Sequence, residues 1–265
     1  MIIVTVDGLN WETAEEMYQD VFDEQSMRMI KCNVRQFTNQ YGYNATPPGL
    51  ITLFSGKKTK LLHKNIFRKS FENSSPIDFI DINENPLDMI WHHFDKCKMF
   101  EKILGPSPYH NGKIFWHHFD KLKDIGVKFV PCEELCIFSE ANKNDYDLFW
   151  IHSPIVKGGI FFPGPYEAGR VPSLLEYDVI RKDKNLKREV YRCGVRRYKE
   201  VLRYLHDIKP DEIIIVSADH GTLTTLPFNE KQIDEIPVLI NRKVDLSDIK
   251  YQWDFKKLVL RNINE

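Results

Sequence analysis

The sequence has no run approaching the roughly 20 apolar residues that cross a bilayer. Its apolar start is cut at Asp7, far short of the roughly 7–15 residue core of a signal peptide. A soluble, cytoplasmic protein is therefore expected. The five cysteines, Cys32, Cys97, Cys132, Cys136 and Cys193, are odd in number and include no C-x-x-C pair. That excludes a disulfide framework and a zinc knuckle and leaves reduced thiols. Net charge is only −1, so no general attraction to nucleic acid or to acidic membranes is expected. Internal repeats and low-complexity tracts are absent, and no histidine follows His220.

What is present is a chain of 265 residues with an ordinary balance of 42% hydrophobic and 28% charged residues. That length suits one substantial α/β domain. A single domain over 1–265 is expected, with a partly irregular insertion at about 57–109. Met1 to Val6 reads as a buried strand. A helix follows, with Asn10 as N-cap and Trp11, Ala14, Met17, Tyr18, Val21 and Phe22 as its apolar stripe. Further strands are expected at Met29–Val34, Val127–Val130, Leu148–Ile151, Ile213–Val216 and Ile236–Ile240. Helices are expected at Pro86–Leu104, at Ile114–Ile125 and near 186–207, the last with Tyr191, Val195, Tyr198, Leu202 and Leu205 inward and its basic residues solvated. Residues 153–172, with Gly158-Gly159, Pro163-Gly164-Pro165 and Gly169, read as a long loop.

Two strings at opposite ends of the chain, Val4-Thr5-Val6-Asp7-Gly8 and Val216-Ser217-Ala218-Asp219-His220-Gly221, each follow an apolar run with metal-binding side chains. In an open, mostly parallel sheet such positions converge beyond the carboxyl ends of the strands. Between them, Thr46 is placed to cap a helix that Pro47 enters and Gly56 ends, which sets a hydroxyl where backbone N–H groups favour an anion. Asp7, Thr46, Asp219 and His220 supply three oxygens and one imidazole, a set suited to one divalent ion, zinc or manganese.

These motifs, in this order, resemble the alkaline phosphatase superfamily and its sulfatase-like branch. The resemblance rests on the strand ending in Asp7, on Phe37-Thr38-Asn39 leading to Thr46-x-Pro48 with Ser55-Gly56 beyond, on Ala218-Asp219-His220-Gly221, and on Glu235-Ile236-Pro237-Val238-Leu239-Ile240. It implies a three-layer α/β fold with a central, mostly parallel sheet flanked by helices. Two-metal members carry an Asp and a His in the loop after the strand that ends at His152, and a His beyond the Asp-His-Gly motif. Ile155 and Gly159 stand at the first two positions here. One metal is therefore expected, as in the phosphoethanolamine and phosphoglycerol transferases.

The implied chemistry is phosphoryl transfer, with Thr46 as a metal-activated nucleophile. His152 is the candidate proton donor or phosphate ligand, and Lys157, His63 and Arg170 are weaker candidates for substrate binding. Sulfate-ester hydrolysis in this branch uses a Cys or Ser converted to an aldehyde. Thr46 cannot be so converted, so a sulfatase would have to work without that group. A haloacid-dehalogenase-type phosphatase needs a second carboxylate where Leu9 stands. A binding or regulatory protein that keeps the fold without turnover is the reading from another class. The expected substrate is a small-molecule or glycan- or lipid-linked phosphate ester.

Overall fold

Strands that are apolar on both faces belong inside a sheet covered on both sides, and Ile2-Ile3-Val4-Thr5-Val6 is buried at every position. The computed structural model describes residues 1–6, 8–32, 46–58, 88–101, 134–153, 183–222 and 232–263. Its strands are β1 (Ile2–Val6), β2 (Ser26–Lys31), β3 (Cys97–Glu101), β4 (Leu148–Ser153), β5 (Ile214–Ser217), β6 (Gly221–Thr222), β7 (Gln232–Ile233) and β8 (Glu235–Ile240). Its helices are α1 (Trp11–Met17), α2 (Thr46–Ser55), α3 (Glu134–Asn142), α4 (Lys184–Ile208) and α5 (Phe255–Arg261).

Six strands form the central sheet in the order β2-β8-β5-β1-β4-β3. β1 lies between β4 and β5, parallel to both, with Thr5 opposite His152 on one side and Ser217 on the other. β3 runs parallel to β4, whereas β8 is antiparallel to both β5 and β2. The expected α/β fold with a mostly parallel sheet flanked by helices is what forms. Chain ends of β1, β4 and β5 thus meet at one edge of the sheet, although β1 and β5 stand at opposite ends of the sequence.

α1 begins where expected, with the Asn10 carboxamide oxygen accepting from Thr13 N–H at 2.8 Å. It ends at Met17, before the apolar stripe does. The Gln25 amide donates to the carbonyls of Tyr18 and Gln19 and accepts from Phe22 N–H, so a turn carries Val21 and Phe22 into the core. In α4 the stripe Tyr191, Val195, Tyr198, Leu202 and Leu205 is buried throughout. Arg192 bonds Glu16, while Lys199 and Arg203 bond Asp20, tying α4 to the α1 region from the solvent side.

Two expectations need correction. Pro86–Leu104 is not one helix in its described part: Ile90–His93 makes a 3-10 turn, and Cys97–Glu101 is strand β3. Parallel pairing along β4 from Leu148 to His152 overrides the helical spacing of that stretch. The strand expected at Met29–Val34 lies earlier, at Ser26–Lys31, because its register is set by β8, with Ser26 opposite Ile240 and Lys31 opposite Glu235. The elements expected at Ile114–Ile125 and Val127–Val130 lie outside the described residues.

On one sheet face, Phe54 of α2 packs on Trp150 of β4 with ring centroids 4.4 Å apart, and also meets Trp91 and Phe255. This aromatic cluster seats α2 over the sheet. No disulfide joins Cys32, Cys97 and Cys193, and burial pushes the Cys97 thiol up to about 12, which keeps it protonated. Among the described residues no helix is long and apolar enough to cross a membrane.

Candidate functional site

Asp219 follows β5 and has no solvent exposure. Its Oδ1 accepts from two backbone N–H groups, those of Gly8 and His220, each at 3.0 Å. Gly8 is the first described residue beyond β1 and takes φ +74°, a conformation that glycine adopts without a Cβ penalty. The chain directly after Asp7 is therefore fixed to Asp219. The β1–β5 register, with Thr5 opposite Ser217, stops two residues short of both Asp7 and Asp219.

The other carboxylate oxygen, Asp219 Oδ2, is buried with no hydrogen-bond partner among the described residues. It stands 3.4 Å from His220 Nε2, but without hydrogen-bond geometry. His220 Nδ1 lies 3.3 Å from the Gly221 carbonyl. Because a carbonyl only accepts, that contact puts the proton of a neutral ring on Nδ1 and its lone pair on Nε2. His220 Nε2 and Asp219 Oδ2 thus face each other 3.4 Å apart. Ligands about 2.0–2.2 Å from one tetrahedral ion stand about 3.3–3.6 Å apart, so this spacing suits a shared cation. The residues present fit a divalent metal in that respect. Among the described residues, no group of three or more His, Cys, Asp or Glu side chains is placed to hold one.

Thr46 heads α2, within one residue of the expected start. The helix is set against Asp219 by Gly49, where a Cβ would stand 2.0 Å from the Asp219 carbonyl oxygen. From the 3-10 turn Gln252–Asp254, the fully buried Gln252 donates through Nε2 to that same carbonyl at 2.6 Å. Tyr191 of α4 donates through its hydroxyl to the Gly8 carbonyl at 3.2 Å and accepts from Asn10 N–H at 3.1 Å, bracing the loop after β1. Sequence reasoning missed Gly49, Gln252 and Tyr191. Pro47-Pro48-Gly49 offered a faint signal for the first, and nothing in the sequence distinguishes the other two.

His152 sits one residue before the end of β4, 2% exposed, on the sheet face that carries Trp150 and α2. Its Nδ1 lies 2.9 Å from Thr5 Oγ1. Asp7, His63, Lys157 and Arg170 lie outside the described residues, as do Ile155 and Gly159. The structure therefore brings together Asp219, His220, the residue after Asp7 and the first turn of α2.

No family model matches the sequence, and no curated protein does. Solved structures do match along nearly the whole chain. The C-terminal periplasmic domain of phosphoethanolamine transferase EptC from Campylobacter jejuni is 14% identical with a TM-score of 0.54, over 99% of this chain and 89% of that one. The lipoteichoic acid synthase LtaP from Listeria monocytogenes is 12% identical with a TM-score of 0.56, over 99% and 71%. An alkaline phosphatase from the Antarctic bacterium TAB5 is 10% identical with a TM-score of 0.53, over 99% and 97%, and mutants of it have been solved with magnesium bound. BT4656, solved in complex with its substrate D-glucosamine-2-N,6-O-disulfate, is 12% identical with a TM-score of 0.53, over 100% of this chain and 76% of that one. The chain has the alkaline phosphatase-like fold that its motif order implies, and the solved proteins sharing it include a phosphoethanolamine transferase, a lipoteichoic acid synthase and an alkaline phosphatase. The expected cytoplasmic location has no support among them, since the EptC match is a periplasmic domain.

Proposed function

We propose that this protein is a metal-dependent phosphoryl-transfer enzyme, a phosphate mono- or diester hydrolase or a phospho-group transferase, with Thr46 as nucleophile. Asp7, Thr46, Asp219 and His220 would hold one divalent ion, zinc or manganese. The observation that carries this reading is Oδ2 of Asp219, buried without a hydrogen-bond partner among the described residues and 3.4 Å from His220 Nε2. A carboxylate oxygen buried without a partner costs several kcal/mol, on the order of what a bound cation returns. When bound, the ion supplies Lewis acidity that lowers the proton affinity of the Thr46 hydroxyl and polarises a phosphoryl oxygen.

The chain's own residues do the rest. Gly8 and His220 N–H groups fix Oδ1 of Asp219 and so aim Oδ2, while Gln252 and the missing side chain of Gly49 set the backbone that carries it. Thr46 Oγ, its proton released to solvent, forms a bond to phosphorus as the ester P–O bond breaks, and the alcohol leaves with a proton taken from His152 or from water. The phospho-threonine then passes its phosphoryl group to water or to an acceptor alcohol. Backbone N–H groups of the first turn of α2 favour the charge spread over the phosphoryl oxygens. His152 offers a proton or hydrogen bond to the substrate, with Lys157, His63 and Arg170 as further contacts. Threonine at the nucleophile position favours phosphate over sulfate esters. The substrate class is a small-molecule or glycan- or lipid-linked phosphate ester.

A panel of phosphate mono- and diesters, assayed with zinc and with manganese, tests the proposal on three forms of the protein. Thr46→Ala should lose turnover while its stability falls by no more than about 0.5–2 kcal/mol, the worth of one cap hydroxyl. Thr46→Ser should retain part of the activity. Parent-like kinetics in Thr46→Ala would remove the covalent route. Metal binding with no turnover of any ester by the parent would point to the regulatory reading instead.

A further inference from the structure

Three fully buried side chains meet on the sheet face beneath α2, and their distances favour one arrangement of donors and acceptors. Thr5 is 0% exposed, Trp150 1% and His152 2%. Trp150 Nε1 lies 2.9 Å from Thr5 Oγ1, and His152 Nδ1 lies 2.9 Å from the same oxygen. The indole N–H can only donate, so it occupies one lone pair of the threonine hydroxyl. The hydroxyl proton then has two acceptors in reach, His152 Nδ1 and the Ile151 carbonyl at 3.5 Å. The 2.9 Å contact has ordinary hydrogen-bond length and the 3.5 Å contact lies at the limit, which favours His152 Nδ1 as the acceptor. With Nδ1 accepting, the proton of the neutral ring stands on Nε2.

We propose that Thr5 is a positioning residue that holds His152 as its Nε2–H tautomer, so that the ring presents a donor to an oxyanion. This rests on the reading of His152 as part of the site. It carries a consequence for metal content as well. A ring with Nδ1 engaged and Nε2 protonated has no lone pair for a cation, so His152 is a ligand for a phosphoryl oxygen and not the founder of a second metal site.

Nitrogen NMR of the full-length protein labelled at histidine reads this directly, with the His152 signals assigned by their loss in His152→Asn. In the parent, His152 Nδ1 should appear as an unprotonated acceptor and Nε2 as the protonated nitrogen. Addition of inorganic phosphate should then shift Nε2 most. Thr5→Val should give mixed tautomers and about tenfold weaker phosphate binding, the worth of one hydrogen bond. Thr5→Ser should restore both, and Trp150→Phe, which leaves the Thr5–His152 contact in place, should keep the tautomer.

A parent spectrum with the proton on Nδ1 overturns the proposal outright. The expected tautomer combined with no response to phosphate overturns the oxyanion assignment while leaving the effect of Thr5 standing. Phosphate binding that is intact in Thr5→Val, with the parent tautomer as expected, shows Thr5 to be structural only. Ester turnover with no His152 response to phosphate would leave the enzyme reading in place and remove this one.

Discussion

Gly49 and Asp219 are packed so closely that a Cβ at position 49 would stand 2.0 Å from the Asp219 carbonyl oxygen and 2.8 Å from its carbonyl carbon. Both are backbone atoms, fixed in turn by Gln252, so they cannot swing aside as a flexible side chain would. Gly49→Ala should therefore displace α2 from the sheet edge, destabilise by about 1–3 kcal/mol or more, and abolish ester turnover. Urea denaturation together with the ester panel checks it. Stability equal to the parent would mean that α2 approaches Asp219 less closely than its helix position implies.

Asp219→Asn separates metal binding from folding. The amide oxygen keeps the N–H bonds from Gly8 and His220, and the new NH2 faces His220 Nε2 across the 3.4 Å gap. In chelator-treated buffer the variant should be within about 1 kcal/mol of the parent or more stable, because a buried charge whose Oδ2 accepts no hydrogen bond among the described residues is gone. The rise in Tm that zinc or manganese gives the parent should disappear. Calorimetric affinity should fall by more than the roughly 10–100-fold that follows loss of a supporting partner. An unchanged metal-induced shift would place the ion elsewhere.

Gln252 supports the site from a turn distant in sequence. Gln252→Leu removes the bond to the Asp219 carbonyl and leaves that oxygen buried without it, a loss of about 1–3 kcal/mol. Metal affinity should fall as well, while Gln252→Glu at a pH that protonates the new carboxyl should recover part of it. Denaturation and metal titration measure the two effects. Full stability in Gln252→Leu would show that the Asp219 backbone is held by other contacts.

The α1–α4 ion pairs predict a pH response. The Arg192 guanidinium holds Glu16 below its usual 4.5, and the Lys199 ammonium holds Asp20 below its usual 3.8. Both carboxylates bind protons more weakly in the folded state. Their stabilisation is present above the ordinary carboxylate pKa and is lost as pH falls through the lowered folded values. The urea midpoint of the parent should drop below about pH 4.5, and that of Glu16→Gln with Asp20→Asn should start lower at pH 7 and fall less. Both groups are well exposed, so added salt should narrow the difference. Parallel pH profiles for the two proteins would dismiss these pairs as contributors.

The strand content of the sheet centre was legible because residues such as Ile2-Ile3-Val4 and Ile214-Ile215-Val216 have both faces covered and leave no polar alternation to misread. The 25-residue α4 was legible for the opposite reason, since its buried residues recur at three- and four-residue spacing. β3 was not: Cys97-Lys98-Met99-Phe100 has no period of its own, and only the open edge of β4 decides that it is extended. The early end of α1 depended on Gln25 reaching back to two carbonyls, a contact that spacing does not encode.

By itself, the sequence determined the α/β class, the order of the motifs and the chemical type of the candidate ligands, because these follow from local apolar runs and from side-chain identity. Tertiary structure decided how they meet. Register between β1 and β5 brings Gly8 to Asp219, the missing Cβ of Gly49 lets α2 close on that strand end, and Gln252 and Tyr191 brace the backbone of Asp219 and Gly8. Three of these contacts join residues more than 150 positions apart, and Gln252 reaches Asp219 across 33. Such contacts depend on which surfaces the folded sheet brings together, and local sequence carries no record of them.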